Sequence, residues 1–331
     1  MALKVFYAYR DAPERRAALA LARDDPERYR LFGLDQLADH GAEIRHNLER
    51  GGPPAPWARV AGTTLNAALY RAGGYGGDFT SVLASRRELN AADVVLSTVD
   101  TVGIPLILLK RAGLVRSPIV YIAVGLPERF VQLRGERLQR LYRRAFRGTE
   151  AILAYSAAEA DRIRSWLGPG SPPVLFVPFG VDVNAFRPSR ERAPDVDVIS
   201  VGADPRRDFD LLRAIASRHG ELSFRIVASA DRARELGSLP PNMSIETDLS
   251  LTQVRDRIAG ARVVALPVRD NSYSGATTVL LQSMAMAKPV VVSRTEAIAQ
   301  GYELEDGVNC RLVPPGDVDA LERAVVDVIT G

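Results

Sequence analysis

Residues 266–293, LPVRDNSYSGATTVLLQSMAMAKPVVVS, contain two apolar runs separated by a polar segment and an amphipathic one. The pattern predicts a strand ending at Leu266, a polar loop, a helix over Gly275–Ala287 and a second strand over Pro289–Ser293. Both strand segments are continuous apolar runs, which is typical of strands buried on both faces of a parallel sheet. The stretch therefore predicts a strand–helix–strand unit of an α/β fold.

The same alternation continues along the whole chain. The predicted strands of the first half are Lys4–Ala8, Ala42–Arg45, Asp93–Thr98, Ile119–Ala123, Ala151–Tyr155 and Val174–Val177. Those of the second half are Asp197–Val201, Ser223–Ala228, Met243–Glu246, Arg262–Leu266, Pro289–Ser293 and Arg311–Val313. Helices are predicted over Glu27–Ala38, Gln132–Arg147, Ala157–Leu167, Phe209–Arg218, Gly275–Ala287 and Val318–Ile329. Repeated alternation of this kind predicts doubly wound parallel sheets.

The stretch Asp182–Asp195 has the composition of a linker, with prolines, charges and little periodicity. We therefore expect one Rossmann-like domain over residues 1–182 and another over residues 196–331, with a cleft between them. Ligands of open parallel sheets bind outside the carboxyl ends of the strands, so two facing sheets would share one site.

Composition excludes several classes of protein. The chain has 331 residues, 47% hydrophobic and 25% charged, which is the balance of about two globular domains rather than of a disordered chain. A single cysteine, Cys310, cannot form an internal disulfide, and no apolar run approaches the roughly 20 residues of a membrane helix. We expect a cytoplasmic protein. The net charge of +3 does not favour nucleic-acid binding, and three scattered histidines do not favour a metal site or a catalytic triad.

The predicted helix start at Gly275 is a candidate anion site. Free backbone N–H groups and the helix dipole favour negative charge there, and the hydroxyls of Thr277 and Thr278 could donate to phosphate oxygens. The alternative is purely structural: Ser274 is the N-cap and the threonines cap or pack.

The second candidate is Val198–Leu212, VISVGADPRRDFDLL, where a polar turn follows a buried strand. Arg206 and Arg207 could reach a diphosphate with two parallel hydrogen bonds. The alternative is a solvated loop in which Asp208 or Asp210 caps the next helix and pairs with the arginines.

Four stretches resemble glycosyltransferase family 4, whose members are retaining enzymes of the GT-B fold. These stretches are AILAYSAAEADRIRSWLG followed by VLFVPFGVDVNAFRP, VGADPRRDFDLLRAIA, SGATTVLLQSMAMAKPVVVS and DGVNCRLVPPGDVDALERAV. The resemblance covers residues 150 to 331. It implies a GT-B fold and a second domain that holds a nucleotide-diphosphate sugar of the UDP or GDP type. The first domain would then hold an acceptor, which could be a small molecule, a glycan or a glycolipid.

The resemblance also implies roles for individual residues. Gly202, Arg206, Arg207, Gly275, Thr277 and Thr278 would contact the donor diphosphate. The two glutamates of the family's donor motif fall at Ser274 and Gln282, so Ser274 and its neighbour Tyr273 would lie at the donor sugar and Gln282 at the ribose. No residue is assigned as a catalytic nucleophile, and neither a metal nor another cofactor is expected.

The missing glutamates leave two alternatives to a transferase. One is a non-catalytic sugar-nucleotide-binding protein or partner subunit, and the other is a sugar-nucleotide epimerase, which would need positioned acid–base groups. The predicted helix Gln132–Arg147 has arginines on one face and apolar residues on the other. It is either a peripheral contact with anionic lipid, a contact with an anionic acceptor, or an ordinary surface helix.

Overall fold

The structure, a computed structural model, describes residues 2–188, 193–271, 273 and 275–331. The contacts divide the chain into two compact units, Met1–Val177 and Pro178–Gly331. This division precedes the predicted linker, because Phe186 is buried in the core of the second unit. The linker residues 189–192 lie outside the described part.

The first unit contains a six-stranded sheet in which every described pairing is parallel. Its strands are β1 Lys4–Ala8, β2 Glu43–His46, β3 Val94–Ser97, β4 Ile119–Ala123, β5 Ala151–Ala154 and β6 Val174–Phe176, in the order β2-β1-β3-β4-β5-β6. Its α-helices are α1 Pro13–Leu19, α2 Leu34–Asp39, α3 Pro56–Arg71, α4 Phe79–Ala84, α5 Arg86–Ala91, α6 Asp100–Arg111, α7 Leu126–Gln132, α8 Glu136–Phe146 and α9 Ala157–Leu167. Short 3₁₀ helices cover Pro26–Leu31 and Asn47–Glu49.

The second unit repeats this plan. Its strands are β7 Val196–Val201, β8 Phe224–Ala228, β9 Met243–Thr247, β10 Ala261–Leu266, β11 Val290–Ser293 and β12 Arg311–Val313, in the parallel order β12-β11-β10-β7-β8-β9. Its helices are α10 Phe209–Arg218, α11 Ala230–Leu236, α12 Leu251–Ala259, α13 Thr277–Ala285, α14 Glu296–Ala299 and α15 Val318–Thr330. The strand order reverses between β7 and β10, so the position favoured for a ligand in such a sheet lies at the carboxyl ends of these two strands.

The apolar strands are buried on both faces, as predicted. Along β7, Val198 belongs to the core beneath α10 and α15, whereas Ile199 belongs to the core on the opposite face beneath α13. Successive side chains of a strand point to opposite faces, so a strand covered by helices on both sides must be apolar throughout. The prediction of two doubly wound α/β units is confirmed.

Three predicted helices have wrong boundaries, and in each case a left-handed residue is the reason. Glu27–Ala38 is divided into a 3₁₀ helix and α2 because Phe32 and Gly33 have φ of 52° and 74°. Gln132–Arg147 begins at Glu136, after Gly135 with φ 84°. The helix predicted over Gly275–Ala287 begins at Thr277. Its N-cap is Ala276, with φ 73°, and a left-handed residue cannot continue a right-handed helix.

Candidate functional site

The loops after β7 and β10 are joined to each other at the switch point of the second sheet. Arg207 forms an isolated antiparallel bridge with Val268. The backbone N–H of Arg269 donates to the carbonyl of Arg206 at 2.9 Å, and that of Asp208 donates to the carbonyl of Pro267 at 3.0 Å. The two loops therefore form one hydrogen-bonded surface at the position where this topology favours a ligand.

Arg207 is the most unusual residue of this surface. It is 2% exposed, and its Nε and Nη1 have no hydrogen-bond partner among the described residues. Burial lowers the pKa of Arg207 to about 10, although Asp204 and Tyr273 act in the opposite direction, so the side chain remains cationic at neutral pH. A buried cation with unused donors is costly unless an anion neutralises it. The site therefore favours an anionic ligand.

The Arg207 guanidinium packs against Gly202, which has no side chain. A Cβ atom added at Gly202 would lie 2.3 Å from Nε of Arg207, well inside van der Waals contact. The arginine thus lies directly against the backbone at the end of β7. Gly202 and Arg207, which the resemblance assigned to the donor diphosphate, lie next to each other in the structure. The alternative of a solvated loop is wrong for Arg207, because its side chain is buried.

The start of α13 adds further unused polar atoms to this region. Thr277 is fully buried, and its Oγ1 has no partner among the described residues. Asn271 is also buried; its Nδ2 donates to the carbonyl of Arg269 at 2.8 Å, whereas its Oδ1 has no described partner. Thr278 is half-buried, and Gln282 is buried one turn further along. Free N–H groups of the first turn complete a set of donors suited to phosphate oxygens.

The Tyr273 side chain connects its loop to the loop after β7. Its hydroxyl is hydrogen-bonded to the Asp204 carboxylate, and its backbone carbonyl accepts from the N–H of the buried Gly275 at 2.8 Å. Arg206 is half-buried beside it. Ser274, the other predicted sugar contact, lies outside the described residues.

The aspartates predicted as partners of the arginines have other partners. The Asp208 carboxylate lies 3.5 Å from Nε of Arg269, and that of Asp210 lies 2.8 Å from Nη2 of Arg213. Sequence reasoning missed Asp204 and Asn271 as parts of the site. Their signal was weak: both are polar residues in loops that follow buried strands.

The first unit contains a buried acidic pair that sequence reasoning also missed. Asp100 accepts hydrogen bonds from the Tyr121 hydroxyl at 2.7 Å and from the backbone of Val124. Glu159 accepts from the backbone N–H groups of Leu126, at 3.0 Å, and of Gly125. Two carboxyl groups from α6 and α9 thus hold the turn that follows β4.

Burial dominates the electrostatics of this acidic pair. It raises the pKa of Asp100 to about 6 and that of Glu159 to about 7, and the negative charge of Asp100 raises the latter further. One oxygen of each carboxyl group, Oδ2 and Oε2, has no described partner. The pair therefore holds at least part of a proton at neutral pH.

The described ranges contain neither a metal-binding cluster nor a membrane-spanning helix. No group of three or more histidine, cysteine, aspartate or glutamate side chains could hold a metal ion there. Among the same residues, no helix is both long and apolar enough to cross a membrane.

Residues 183–331 match the family model described as "Glycosyl transferases group 1". The matched residues include the switch point of the second sheet, with Arg207 and the start of α13. The match supports the predicted class of enzyme, a glycosyltransferase that uses a nucleotide sugar. No curated protein sequence gives a significant match.

Solved structures similar to the whole chain have the GT-B fold, which confirms the predicted fold class. Sucrose-phosphate synthase from Thermosynechococcus elongatus is 14% identical and has a TM-score of 0.72, over 99% of this chain and 90% of that one. An α,α-trehalose-phosphate synthase (UDP-forming) from Burkholderia vietnamiensis is 13% identical with a TM-score of 0.67, over 100% and 91%. Anabaena HepE in complex with UDP and glucose is 16% identical with a TM-score of 0.66, over 99% and 90%.

Proposed function

We propose that this protein transfers a sugar from a nucleotide-diphosphate sugar to an acceptor hydroxyl, with retention of the anomeric configuration, as in glycosyltransferase family 4. The observation that supports the proposal is the burial of the Arg207 cation at the switch point of the second sheet, with two nitrogens that have no partner among the described residues. Arg207 lies within the residues that match the glycosyltransferase model. The diphosphate of the donor is the anion that this arrangement suits. Arg206 is the second arginine of the same turn.

The proposed reaction requires the protein to stabilise the diphosphate as it leaves the sugar. When the anomeric bond breaks, the sugar becomes oxocarbenium-like and negative charge accumulates on the diphosphate. Donors fixed in advance and aimed at that charge lower the barrier, more strongly where water is excluded. The Arg207 guanidinium, the hydroxyls of Thr277 and Thr278 and the first turn of α13 are such donors. We propose that the leaving phosphate itself takes the proton of the acceptor hydroxyl.

The remaining site residues have narrower proposed roles. Gly275 permits close approach of the diphosphate to the start of α13, and Gln282 hydrogen-bonds the ribose hydroxyls through its amide. Tyr273 and Ser274 are proposed to contact the donor sugar. The first unit is proposed to bind the acceptor, and the protein is proposed to act in the cytoplasm without a metal or other cofactor.

Calorimetric titration with UDP and GDP tests the diphosphate role directly. UDP comes first because the HepE structure contains it. Replacing Arg207 with glutamine removes a charged hydrogen-bond donor, so the affinity for the nucleoside diphosphate should fall more than about tenfold. Arg213→Gln, at a half-buried arginine of α10 that bonds Asp210 and Leu236, is the control and should bind normally. Equal affinities of the wild type and Arg207→Gln would contradict the proposal.

A second assay separates transfer from the alternatives. The protein is incubated with a panel of nucleotide sugars, with and without hydroxyl acceptors, and the products are separated by chromatography. Transfer predicts acceptor-dependent release of the nucleoside diphosphate. Interconversion of the sugars would instead indicate an epimerase, and binding without turnover a sugar-nucleotide-binding protein.

A further inference from the structure

Positive charge is concentrated in one short segment of the first unit. Residues 129–147 contain seven arginines and one acidic residue, Glu136, and so carry a net charge of +6. The whole chain has a net charge of only +3, so the rest of the protein is net negative. Such a local excess acts on charged partners over about one Debye length, roughly 8–10 Å in physiological salt.

The folded segment presents most of this charge on a single face. Five of the arginines are exposed, namely Arg134, Arg137, Arg140, Arg144 and Arg147. All of them except Arg134, which precedes α8, fall on one side of this helix or just beyond its end. We call them, with Val131 and Leu141, the basic face. The opposite side of α8 is apolar and packs through Tyr142, Ala145 and Phe146 in the core. In the described part of the chain, no ion pair involves the five arginines.

Two apolar side chains of the same segment are also exposed. Val131 is 87% exposed, and Leu141, between Arg137 and Arg144 on the helix surface, is 38% exposed. Exposed aliphatic groups within a basic patch are not removed from water when the patch faces solvent, and a polyanion such as nucleic acid buries little of their apolar surface. They suit the boundary between lipid headgroups and acyl chains, where arginine stems also bury their methylene groups.

The basic face is held firmly on the unit. Tyr142 accepts a hydrogen bond from the Tyr75 N–H at 3.0 Å and donates one to the carbonyl of the same residue. The other two arginines of the segment face the protein: Arg129 lies over the Tyr75 ring and Arg143 over the Trp166 ring, at 4.6 Å and 5.1 Å from the ring centres. The helix is therefore a fixed platform whose exposed side is basic.

We propose that the basic face binds the surface of a membrane that contains anionic lipids, and so places the protein at a bilayer. Charge complementarity and the exposed Val131 and Leu141 carry this inference. It is independent of the donor chemistry, because the residues of the basic face lie in the first unit and the proposed donor site lies in the second.

Vesicle sedimentation tests the proposal with the full-length protein. The wild type should sediment with vesicles of equal parts phosphatidylcholine and phosphatidylglycerol, less so at high salt, and not with pure phosphatidylcholine. The binding free energy of each arginine near an anionic surface corresponds to about a fivefold change in partitioning. The combined variant Arg137→Gln, Arg140→Gln, Arg144→Gln should therefore bind about 100-fold more weakly.

A matched variant controls for net charge. Arg86, Arg87 and Arg116 are equally exposed arginines that line a surface cavity of about 370 Å³ elsewhere on the first unit. Their triple replacement with glutamine removes the same charge and should leave vesicle binding within about twofold of the wild type. Equal losses in both triple variants would overturn the proposal, as would a wild type that does not sediment.

Two further measurements complete the test. Replacing Val131 and Leu141 with serine should weaken vesicle binding while leaving its salt dependence in place, because apolar burial is lost and charge is not. A single-stranded oligonucleotide that bound the wild type more tightly than the vesicles would make the basic face a polyanion site and overturn the membrane assignment. UDP titration of every variant reports separately on the fold and on the proposed function.

Discussion

The Tyr273 hydroxyl donates a hydrogen bond to the Asp204 carboxylate, whose two oxygens lie 2.7 Å and 2.9 Å away. Oδ1 of the same carboxylate accepts from the backbone N–H of Arg206 at 2.6 Å. One side chain thus ties the loop before α13 to the loop after β7, next to the buried guanidinium of Arg207. The proposed donor site includes this connection, which no local sequence pattern contains.

Removal of the Tyr273 hydroxyl should loosen the site without destroying it. Tyr273→Phe loses one hydrogen bond to a charged group, so UDP affinity should fall about three- to tenfold while the fold is retained. Calorimetry measures the affinity, and Tyr302→Phe, another partly buried tyrosine of the second unit, is the control. An unchanged affinity in Tyr273→Phe would show that the loops keep their arrangement without the hydroxyl.

Gly202→Ala should displace Arg207. The new methyl group would lie where the guanidinium now lies, so UDP affinity should fall by more than about tenfold and stability by about 1–3 kcal/mol. Gly237→Ala is the matched control, because φ at Gly237 is +65° but no atom lies within 4 Å of the added carbon. The control should lose stability and keep its affinity. A Gly202→Ala protein with normal UDP affinity would contradict the proposed role of Arg207.

The acidic pair of the first unit predicts a pH dependence of stability. Native pKa values of about 6 for Asp100 and about 7 for Glu159 lie above the ordinary values of unfolded carboxyl groups. Between those values the native state binds more protons than the unfolded state, so stability falls as pH rises through this range. The contribution of each group is on the order of 3 kcal/mol.

Glu159→Gln isolates this contribution. The amide oxygen can still accept from the N–H of Leu126, but the side chain no longer titrates. The wild type should lose more stability than the variant between about pH 5.5 and about pH 8, measured by denaturant unfolding. Glu136→Gln, an exposed carboxyl group on α8, should keep the wild-type slope. Parallel slopes for the wild type and Glu159→Gln would refute a raised pKa at Glu159.

Substitutions at positions 274 and 282 should have different effects on nucleotide affinity and on the preference among donor sugars. Gln282→Ala should weaken every nucleotide ligand by a similar factor, because the ribose is common to all of them. Ser274→Glu should instead change the ranking of sugars towards ordinary hexoses, because a carboxylate accepts from two hydroxyls where serine makes a shorter contact. kcat/KM across a donor panel measures both. A uniform factor in Ser274→Glu would show that position 274 does not contact the sugar.

Activity should survive the addition of a chelator. In the proposed mechanism, Arg206, Arg207 and the start of α13 supply the positive charge that a metal would otherwise supply. The measurement is the initial rate of nucleoside-diphosphate release with and without EDTA. Loss of activity that is restored by a divalent cation would contradict this assignment of charge.

The sequence by itself determined the strands and their class. Lys4–Ala8, Ile119–Ala123 and Arg311–Val313 have the predicted boundaries, and the other nine strands differ from the prediction by one residue at one end or at both ends. A strand covered on both faces must be apolar over its whole length, and that requirement is visible in a local stretch of residues. The arginine-rich turn after β7 and the helix after β10 were likewise predicted, since parallel α/β units place such loops at the carboxyl ends of strands.

The tertiary structure alone decided where helices stop and which polar groups are buried. The left-handed conformations of Phe32 and Ala276 are uncommon for residues other than glycine, so no local preference predicted the ends of those helices. The burial of Arg207 against Gly202 and the coupling of Asp100 with Glu159 depend on contacts between residues distant in the chain or on the packing around them. A pKa or an unpaired donor depends on the solvent that packing removes, and packing is a property of the assembled fold.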